Sequence, residues 1–110
     1  MNISVVQYVT PAGKVPYQDW LGRLNDKAAK ASVIRRILRL ELGDFGDHKR
    51  VGEGVSELRI DVGPGYRVYF GSMGRTIVVL LVAGNKGTQS RDIERAKKYW
   101  KDHQERHGQS

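Results

Sequence analysis

Charged and phenolic side chains alternate with apolar ones along two neighbouring segments of this sequence. Glu57, Arg59 and Asp61 alternate with aliphatic residues in the first segment, and Arg67 and Tyr69 alternate with apolar residues in the second. Because successive side chains of a strand point to opposite faces, these five would share one open face if the segments pair. Guanidinium groups there could bind a phosphate, and a phenol or carboxylate could move a proton beside it.

The same alternation has a plainer interpretation. An antiparallel sheet commonly turns one polar face to water, and cross-strand Glu–Arg pairs on such a face contribute only fractions of a kcal/mol. The pattern alone therefore leaves a binding face and a solvated face both open.

Lys86 adds a third cation just beyond the next apolar segment. RNA can be cut without a metal when its own 2′-hydroxyl attacks the adjacent phosphate. The protein then need only hold the geometry, stabilise negative charge and assist proton transfer. Arg59, Arg67 and Lys86 suit the second task because they remain cationic at neutral pH. Tyr69 or Glu57 would serve the third, although free tyrosine and glutamate titrate far from neutral pH. The set is compatible with this chemistry without being diagnostic of it.

The chain is strongly basic. Nineteen Lys and Arg residues against twelve Asp and Glu residues give a formal net charge of +7 and a pI near 9.9. Such a charge favours a partner rich in phosphate or carboxylate, so both nucleic acid and an acidic protein would satisfy it. Candidate RNA contacts are Lys49 and Arg50 in a loop and Arg35, Arg36 and Arg39 on one face of a helix, although a basic loop and a basic helix face can equally be solvated without a partner.

Several functional classes are disfavoured by composition. The sequence has no cysteine, which excludes disulfides and thiolate metal sites and is typical of a reducing cytosol. His103 and His107 have the spacing of two helical metal ligands but lack a third of suitable spacing, so we expect no metal and no cofactor. No stretch has the run of about 18 apolar residues that a membrane span needs. We expect a cytoplasmic protein.

The predicted hairpin is preceded by two predicted helices and a strand. Gly63-Pro64-Gly65 predicts a tight turn, because Gly adopts positive φ freely and Pro presets its own φ. Before it we predict a strand over residues 2–9, a helix opened by Pro16, a second helix over 27–42 and a loop over 43–54. The second helix is expected to bury a stripe formed by Ala31, Ile34, Leu38 and Leu42.

After the hairpin, the nearly continuous apolar run over residues 76–83 predicts a strand covered on both faces. A last helix is expected from Ser90, with a frayed tail at about 104–110. The sequence therefore predicts one domain over residues 1–110 of α+β class. Its sheet should be small, twisted, mainly antiparallel and four-stranded, with a helix hairpin on one face and a C-terminal helix, in the order β-α-α-β-β-β-α.

This order resembles the RelE/ParE toxin superfamily of bacterial toxin–antitoxin modules. The segments Glu57-Leu58-Arg59, Gly63-Pro64-Gly65-Tyr66-Arg67 and Lys86-Gly87-Thr88-Gln89 are similar to the HigB-like, phage Gp49-like branch, whose members are called addiction module killer proteins. The resemblance covers almost the whole chain. Arg67 matches the family's arginine at the scissile phosphate and Lys86 matches its basic residue after the last core strand. Arg59 and Glu57 match less closely.

The resemblance implies a small toxin that enters the ribosomal A site and cleaves messenger RNA. It also implies neutralisation by a helix-turn-helix antitoxin, with operator DNA bound only through the toxin–antitoxin complex. Many RelE-like nucleases carry a Tyr or His proton donor shortly after the last basic position, where this chain continues Gln89-Ser90-Arg91-Asp92-Ile93. Tyr69 is a candidate to replace that donor.

Two other functions belong to different classes. A ParE-like toxin would inhibit DNA gyrase instead of cutting RNA, and an inactive binding module would only dock an acidic antitoxin segment. Dependence of toxicity on Arg67, Tyr69 and Lys86 distinguishes the nuclease from both.

Overall fold

A five-stranded sheet runs through the middle of the molecule in the computed structural model, which describes residues 2–107. Its strands follow the spatial order β1-β5-β4-β3-β2, and only β1 and β5 pair in parallel. The mainly antiparallel α+β class is confirmed. The strands are β1 (Ser4–Gln7), β2 (His48–Gly52), β3 (Val55–Ile60), β4 (Tyr66–Met73) and β5 (Ile77–Asn85).

The sheet has five strands, where the sequence predicted four. The additional strand is β2, which lies within the segment predicted as a loop and pairs antiparallel with β3 at the sheet edge. Glu53 and Gly54 join the two strands, and both have positive φ, as tight hairpin turns require. Most of β2 is exposed, so it lacks the apolar alternation that makes a strand visible in a sequence.

Three helices cover the sheet from both sides. α1 (Pro16–Arg23) begins with the expected proline, and α2 (Lys27–Glu41) is capped by Asp26, whose carboxylate accepts the Ala29 N–H. Side chains of these two helices share one apolar core with β3, β4 and β5, which confirms the predicted helix hairpin on one face. α3 (Gln89–Arg106) covers the opposite face, where Trp100 and Ala96 pack beside Tyr69 and Leu81.

The predicted buried stripe of α2 is wrong. The buried residues are Ala29, Val33 and Leu40, whereas the side chains of Ile34, Leu38 and Leu42 are 40, 54 and 70% exposed. Both sets recur at helical spacing on opposite sides of the helix. Periodicity therefore shows that two apolar stripes exist but cannot identify which one faces the sheet.

The two faces of the hairpin were predicted correctly, but one of them is not open. Leu58, Ile60, Val68 and Phe70 all lie in the core beneath α1 and α2. The polar face lies under α3, because this helix crosses the strands there and seats Trp100 directly over Gly71. A Cβ at Gly71 would stand 2.5 Å from the indole ring.

α3 continues through Arg106 and so extends into the segment from about residue 104 that was predicted to fray. Residues 108–110 of that prediction lie outside the described residues. Over residues 2–107, none of the helices combines the length and the apolar character needed to span a bilayer.

Candidate functional site

A cavity of about 290 Å³ opens where the β3–β4 turn meets the end of β5. Three of the predicted site residues, Arg59, Arg67 and Lys86, line it together. The remaining wall comes from the turn and from two carboxylates that were not predicted as site residues. The lining residues are Asp47, Arg59, Ile60, Asp61, Gly63, Pro64, Gly65, Tyr66, Arg67 and Lys86.

The two arginines stand directly opposite each other in the ladder between β3 and β4. Like charges in this position repel and destabilise a sheet. Glu57 resolves the conflict, because its Oε1 accepts from Arg59 Nε at 3.2 Å and lies 3.3 Å from Arg67 Nη1. One buried carboxylate thus holds two opposed guanidinium groups at the cavity wall.

Glu57 is 1% exposed, although the sequence placed it on an open face. Its second oxygen, Oε2, accepts from Gln89 Nε2 at 3.1 Å. The carboxylate therefore joins β3, β4 and the first residue of α3. These hydrogen bonds satisfy a group that could not otherwise be buried. Gln89 is a site-supporting residue whose only sequence signal was its place in the Lys86-x-x-Gln89 segment.

Tyr69 lies opposite Glu57 in the ladder and is 0% exposed beneath α3. Its hydroxyl has no hydrogen-bond partner among residues 2–107. Burial, followed by the negative charges of Glu57 and Asp92, raises the pKa of Tyr69 above that of a free phenol, while Arg67 opposes the shift. Tyr69 does not line the cavity, so the open face that the sequence predicted for it is wrong.

Lys86 is exposed, and hydrogen bonds hold the backbone on both sides of it. It opens a 3-10 turn, Lys86–Thr88, in which Asn85 and Thr88 cap each other reciprocally. The Lys86 N–H donates to the Gly65 carbonyl at 3.0 Å, tying this turn to the hairpin. The sequence 85–88 thereby places the third cation at the cavity through local hydrogen bonds.

Arg36, one of the predicted RNA contacts, holds the backbone behind the cavity wall. Its guanidinium donates to the carbonyls of Arg59, Phe45 and Asp47, the last two at 3.0 and 3.1 Å. Burial lowers the pKa of Arg36, and the Arg39 charge adds to this effect. The contacts fasten the loop before β2 to the end of β3, and they set Asp47 Oδ1 at 3.8 Å from Arg59 Nη1.

The other predicted RNA contacts are exposed and lie outside the candidate cavity, and two of them, Arg35 and Arg39, line a neighbouring cavity together with Arg36. Lys49 pairs with Glu57 and so shares its face, whereas Arg50 pairs with Ser56 and lies on the opposite face of β2. On α2, Arg39 is bound to Asp44 at 2.8 Å and Arg35 donates to the Ser32 hydroxyl. The structure does not gather these residues around the cavity.

The cavity combines groups that can bind an anion with groups that can accept a proton. Three cations and the two carboxylates of Asp47 and Asp61 line it, and Glu57 stands behind. Arginine forks and a lysine suit phosphate oxygens. Among residues 2–107, no three His, Asp or Glu side chains cluster as metal ligands.

Comparison with known proteins places these features in a family. Residues 19–101 match the family described as "Phage derived protein Gp49-like (DUF891)", a range that includes Glu57, Arg59, Arg67, Lys86 and Gln89. An uncharacterized protein of Haemophilus influenzae is 48% identical to this chain over 81 residues, covering 74% of this chain and 82% of that protein. The chain therefore belongs to the Gp49-like family of phage-derived proteins, a toxin-like family of the RelE/HigB type that is related to toxin–antitoxin modules.

Proposed function

We propose that this protein is the toxin of a type II toxin–antitoxin module and acts as a ribosome-dependent messenger RNA endoribonuclease. The observation that supports this proposal is the grouping of Arg59, Arg67 and Lys86 around one cavity. All three lie within the family match. A phosphodiester carries its negative charge on two oxygens, and the three cations surround a space large enough for one phosphate group.

The proposed reaction is an internal transfer at one phosphate of the RNA. The 2′-oxygen forms a bond to phosphorus, the bond to the 5′-oxygen breaks, and the products are a 2′,3′-cyclic phosphate and a 5′-hydroxyl. The proton of the 2′-hydroxyl passes to a base of the cavity wall, and the leaving 5′-oxygen takes up a proton from solvent water. Arg67, Arg59 and Lys86 stabilise the charge that grows on the phosphate oxygens in the transition state.

In this proposal a carboxylate of the cavity wall, Asp47 or Asp61, accepts the proton, since both residues line the cavity. Glu57 is occupied by Arg59, Arg67 and Gln89, so it positions the arginines. Tyr69 is buried with a raised pKa and does not reach a phosphate in the cavity. These two residues, candidates for proton transfer on sequence grounds, therefore support the site in this proposal.

The partners follow from the same proposal. The toxin binds the ribosome and its messenger RNA, and a helix-turn-helix antitoxin encoded beside it neutralises it. Operator DNA is bound through the complex of the two proteins. The net charge of +7 suits both RNA and an acidic antitoxin segment.

Translation of a defined messenger RNA in a purified system, followed by primer extension, tests the proposal. We expect new 5′ ends within the A-site codon that require ribosomes and disappear with Arg67→Ala. Arg75→Ala is the matched control, because it removes an equal charge from the exposed β4–β5 turn, away from the cavity. It should cleave like the unchanged protein.

Cleavage that persists in a folded Arg67→Ala protein would show that this cavity is not the nuclease site. Intact messenger RNA with the unchanged, folded protein would contradict the nuclease function itself. Growth inhibition with DNA damage would then favour a gyrase inhibitor, and harmless overexpression would favour an inactive binding module.

A further inference from the structure

A second cavity, of about 250 Å³, lies between the end of α1 and the first turns of α3. Three arginines line it: Arg23 is the last residue of α1, and Arg91 and Arg95 follow each other by one turn on α3. We call this cavity the arginine cleft. Its wall also includes Trp20 and the backbone of Gly84.

The sheet itself leaves room for the cleft. β1 pairs with β5 only as far as Leu80, so within residues 2–107 no strand lies beside the last part of β5 on that side. Gly84 lets Asp92 and Thr88 lie against the β5 backbone, because a Cβ there would collide with Asp92 Oδ2 and stand 2.6 Å from Thr88 Oγ1. α1 and α3 therefore approach the same stretch of β5 backbone and present their arginines together.

The cleft is strongly positive. Among the described residues that line it, the one carboxylate is that of Asp92, which is 2% exposed, accepts from Thr88 Oγ1 at 2.5 Å and lies 3.6 Å from Arg95 Nη1. Arg95 is further held by the Tyr99 hydroxyl at 3.3 Å. Across residues 2–107, neither Arg23 nor Arg91 forms an ion pair. One arginine is thus fixed in place, and two are available to an anion.

The positive charge of Arg91 is electrostatically unfavourable at its position in α3. Arg91 is the third residue of α3, where the helix dipole favours negative charge and disfavours a cation. A residue that opposes the local rule without a structural partner indicates a functional use. Removing its charge should therefore leave the fold intact.

The cleft is continuous with the candidate site. A shallow cavity lined by Lys86, Gly87, Thr88, Gln89, Ser90 and Arg91 shares Lys86 with the site and shares Thr88 and Arg91 with the cleft. A chain of cations thus runs from Arg59 and Arg67 through Lys86 to Arg91 and Arg23. A row of positive groups along a groove is how proteins follow a single-stranded nucleic acid backbone.

We propose that the arginine cleft is a second phosphate subsite for the same single-stranded RNA, and this inference rests on the proposed function. Arginine forks match phosphate oxygens in pairs. Trp20 is partly buried in the cleft wall and offers an aromatic surface for a neighbouring base. The RNA therefore extends from the reacting phosphate past Lys86 and into the cleft.

Binding of a short single-stranded RNA oligonucleotide, measured by fluorescence anisotropy without ribosomes, tests this subsite. We expect the Arg23→Ala, Arg91→Ala double variant to bind about tenfold more weakly. The slope of log K against log salt should fall by about 1.4, since each lost phosphate contact on a single strand contributes about 0.7. RNA should also quench the fluorescence of Trp20, an effect that Trp20→Phe removes.

The matched control is the Arg75→Ala, Lys101→Ala double variant, which removes the same charge from exposed positions outside the cleft. Its affinity should change by less than about twofold. Equal losses of RNA affinity in both double variants would show that the effect comes from net charge alone and would overturn the subsite. Unchanged binding by a folded Arg23→Ala, Arg91→Ala protein would overturn it too and would leave the cleft to an acidic protein partner.

The assay separates this inference from the proposed function. Cleft-dependent RNA binding without messenger RNA cleavage would contradict the nuclease and retain the subsite. If the Arg23→Ala, Arg91→Ala protein cleaves messenger RNA normally and binds RNA with normal affinity, the subsite is contradicted and the proposed nuclease function stands.

Discussion

Glu57 is the residue on which the candidate site depends. It is buried between two guanidinium groups that would otherwise face each other unscreened across β3 and β4. Gln89 holds its other oxygen, so the negative charge is fixed in position before any ligand binds. Preorganised charges of this kind cost no reorganisation when the transition state forms.

Replacing Glu57 with Gln should lower the free energy of unfolding by about 2 kcal/mol, because hydrogen bonds to charged groups contribute roughly that much and the opposed arginines lose their counter-ion. Urea denaturation measures the change. Glu53→Gln is the control, since the Glu53 side chain is 74% exposed and its carboxylate lies 3.4 Å from Lys97 Nζ, and its effect should stay below about 0.5 kcal/mol. Equal stability of the two variants would contradict the role assigned to Glu57.

His103 makes stability depend on pH. It is buried against Trp100 and Met73, and burial lowers its pKa, with further lowering by His107 and Arg106 that Asp102 opposes. The unfolded chain therefore binds the proton more readily than the folded protein does. The stability that neutral His103 confers is complete above its ordinary pKa of about 6.5 and is lost as the pH falls through its lower folded value.

Unfolding free energies measured from about pH 7.5 to about pH 5.5 should decrease, and the decrease should be smaller in His103→Leu. His48→Gln, on the exposed strand β2, serves as the control and should follow the unchanged protein. A slope that is identical in all three proteins would exclude His103 as its source.

At the level of elements, α2 shows why one helix can carry two apolar stripes. Its inner stripe of Ala29, Val33 and Leu40 packs into the first core, while Ile34, Leu38 and Leu42 remain outside. Arg36 lies near the inner stripe and reaches across to three backbone carbonyls. The inner side of α2 therefore supports both the core and the cavity wall.

Leu40→Ala should lower the free energy of unfolding by about 2–5 kcal/mol, because it leaves a cavity in a fully buried position. Leu38→Ala makes the identical chemical change on the exposed stripe and should cost less than about 0.5 kcal/mol. Thermal or urea unfolding of the pair measures the difference. A larger loss from Leu38→Ala would mean that the helix is rotated from the orientation described.

At the level of the whole molecule, the sheet separates two cores, and within residues 2–107 no side chain belongs to both. α1 and α2 cover one, α3 covers the other, and the strands between them supply residues to both. The candidate site lies at one end of this sandwich, where β3, β4, β5 and α3 all contribute. Its geometry therefore depends on the whole fold being formed.

Gly71→Ala should destabilise the protein by about 1–3 kcal/mol, because the new methyl group would press against the Trp100 ring. Combined with Leu40→Ala, which acts in the other core, its effect should add within about 0.5 kcal/mol. A double-mutant cycle of urea unfolding measures the sum. A coupling well above that value would show that the sheet transmits strain between the two cores.

Sequence patterns alone predicted the order of the elements other than β2, the hairpin turn, the sides of its strands and the three cations that line the candidate cavity. Each of these depends on short-range rules: alternation along a strand, positive φ at Gly63 and Gly65, a proline at the start of α1. Such rules act between neighbours, so a single sequence reveals them. The basic charge that favours a polyanion partner was equally visible.

Which polar residues reach solvent depends on packing between elements that are distant in the chain. Glu57 and Tyr69 follow the same alternation as Arg59 and Arg67, yet α3 covers the first two and leaves the arginines at the cavity. The choice between the two stripes of α2, the pairing of β2 and the grouping of Arg23 with Arg91 also depend on partners distant in the chain. Burial of a residue depends on which other elements pack against it. A local sequence pattern cannot predict those partners.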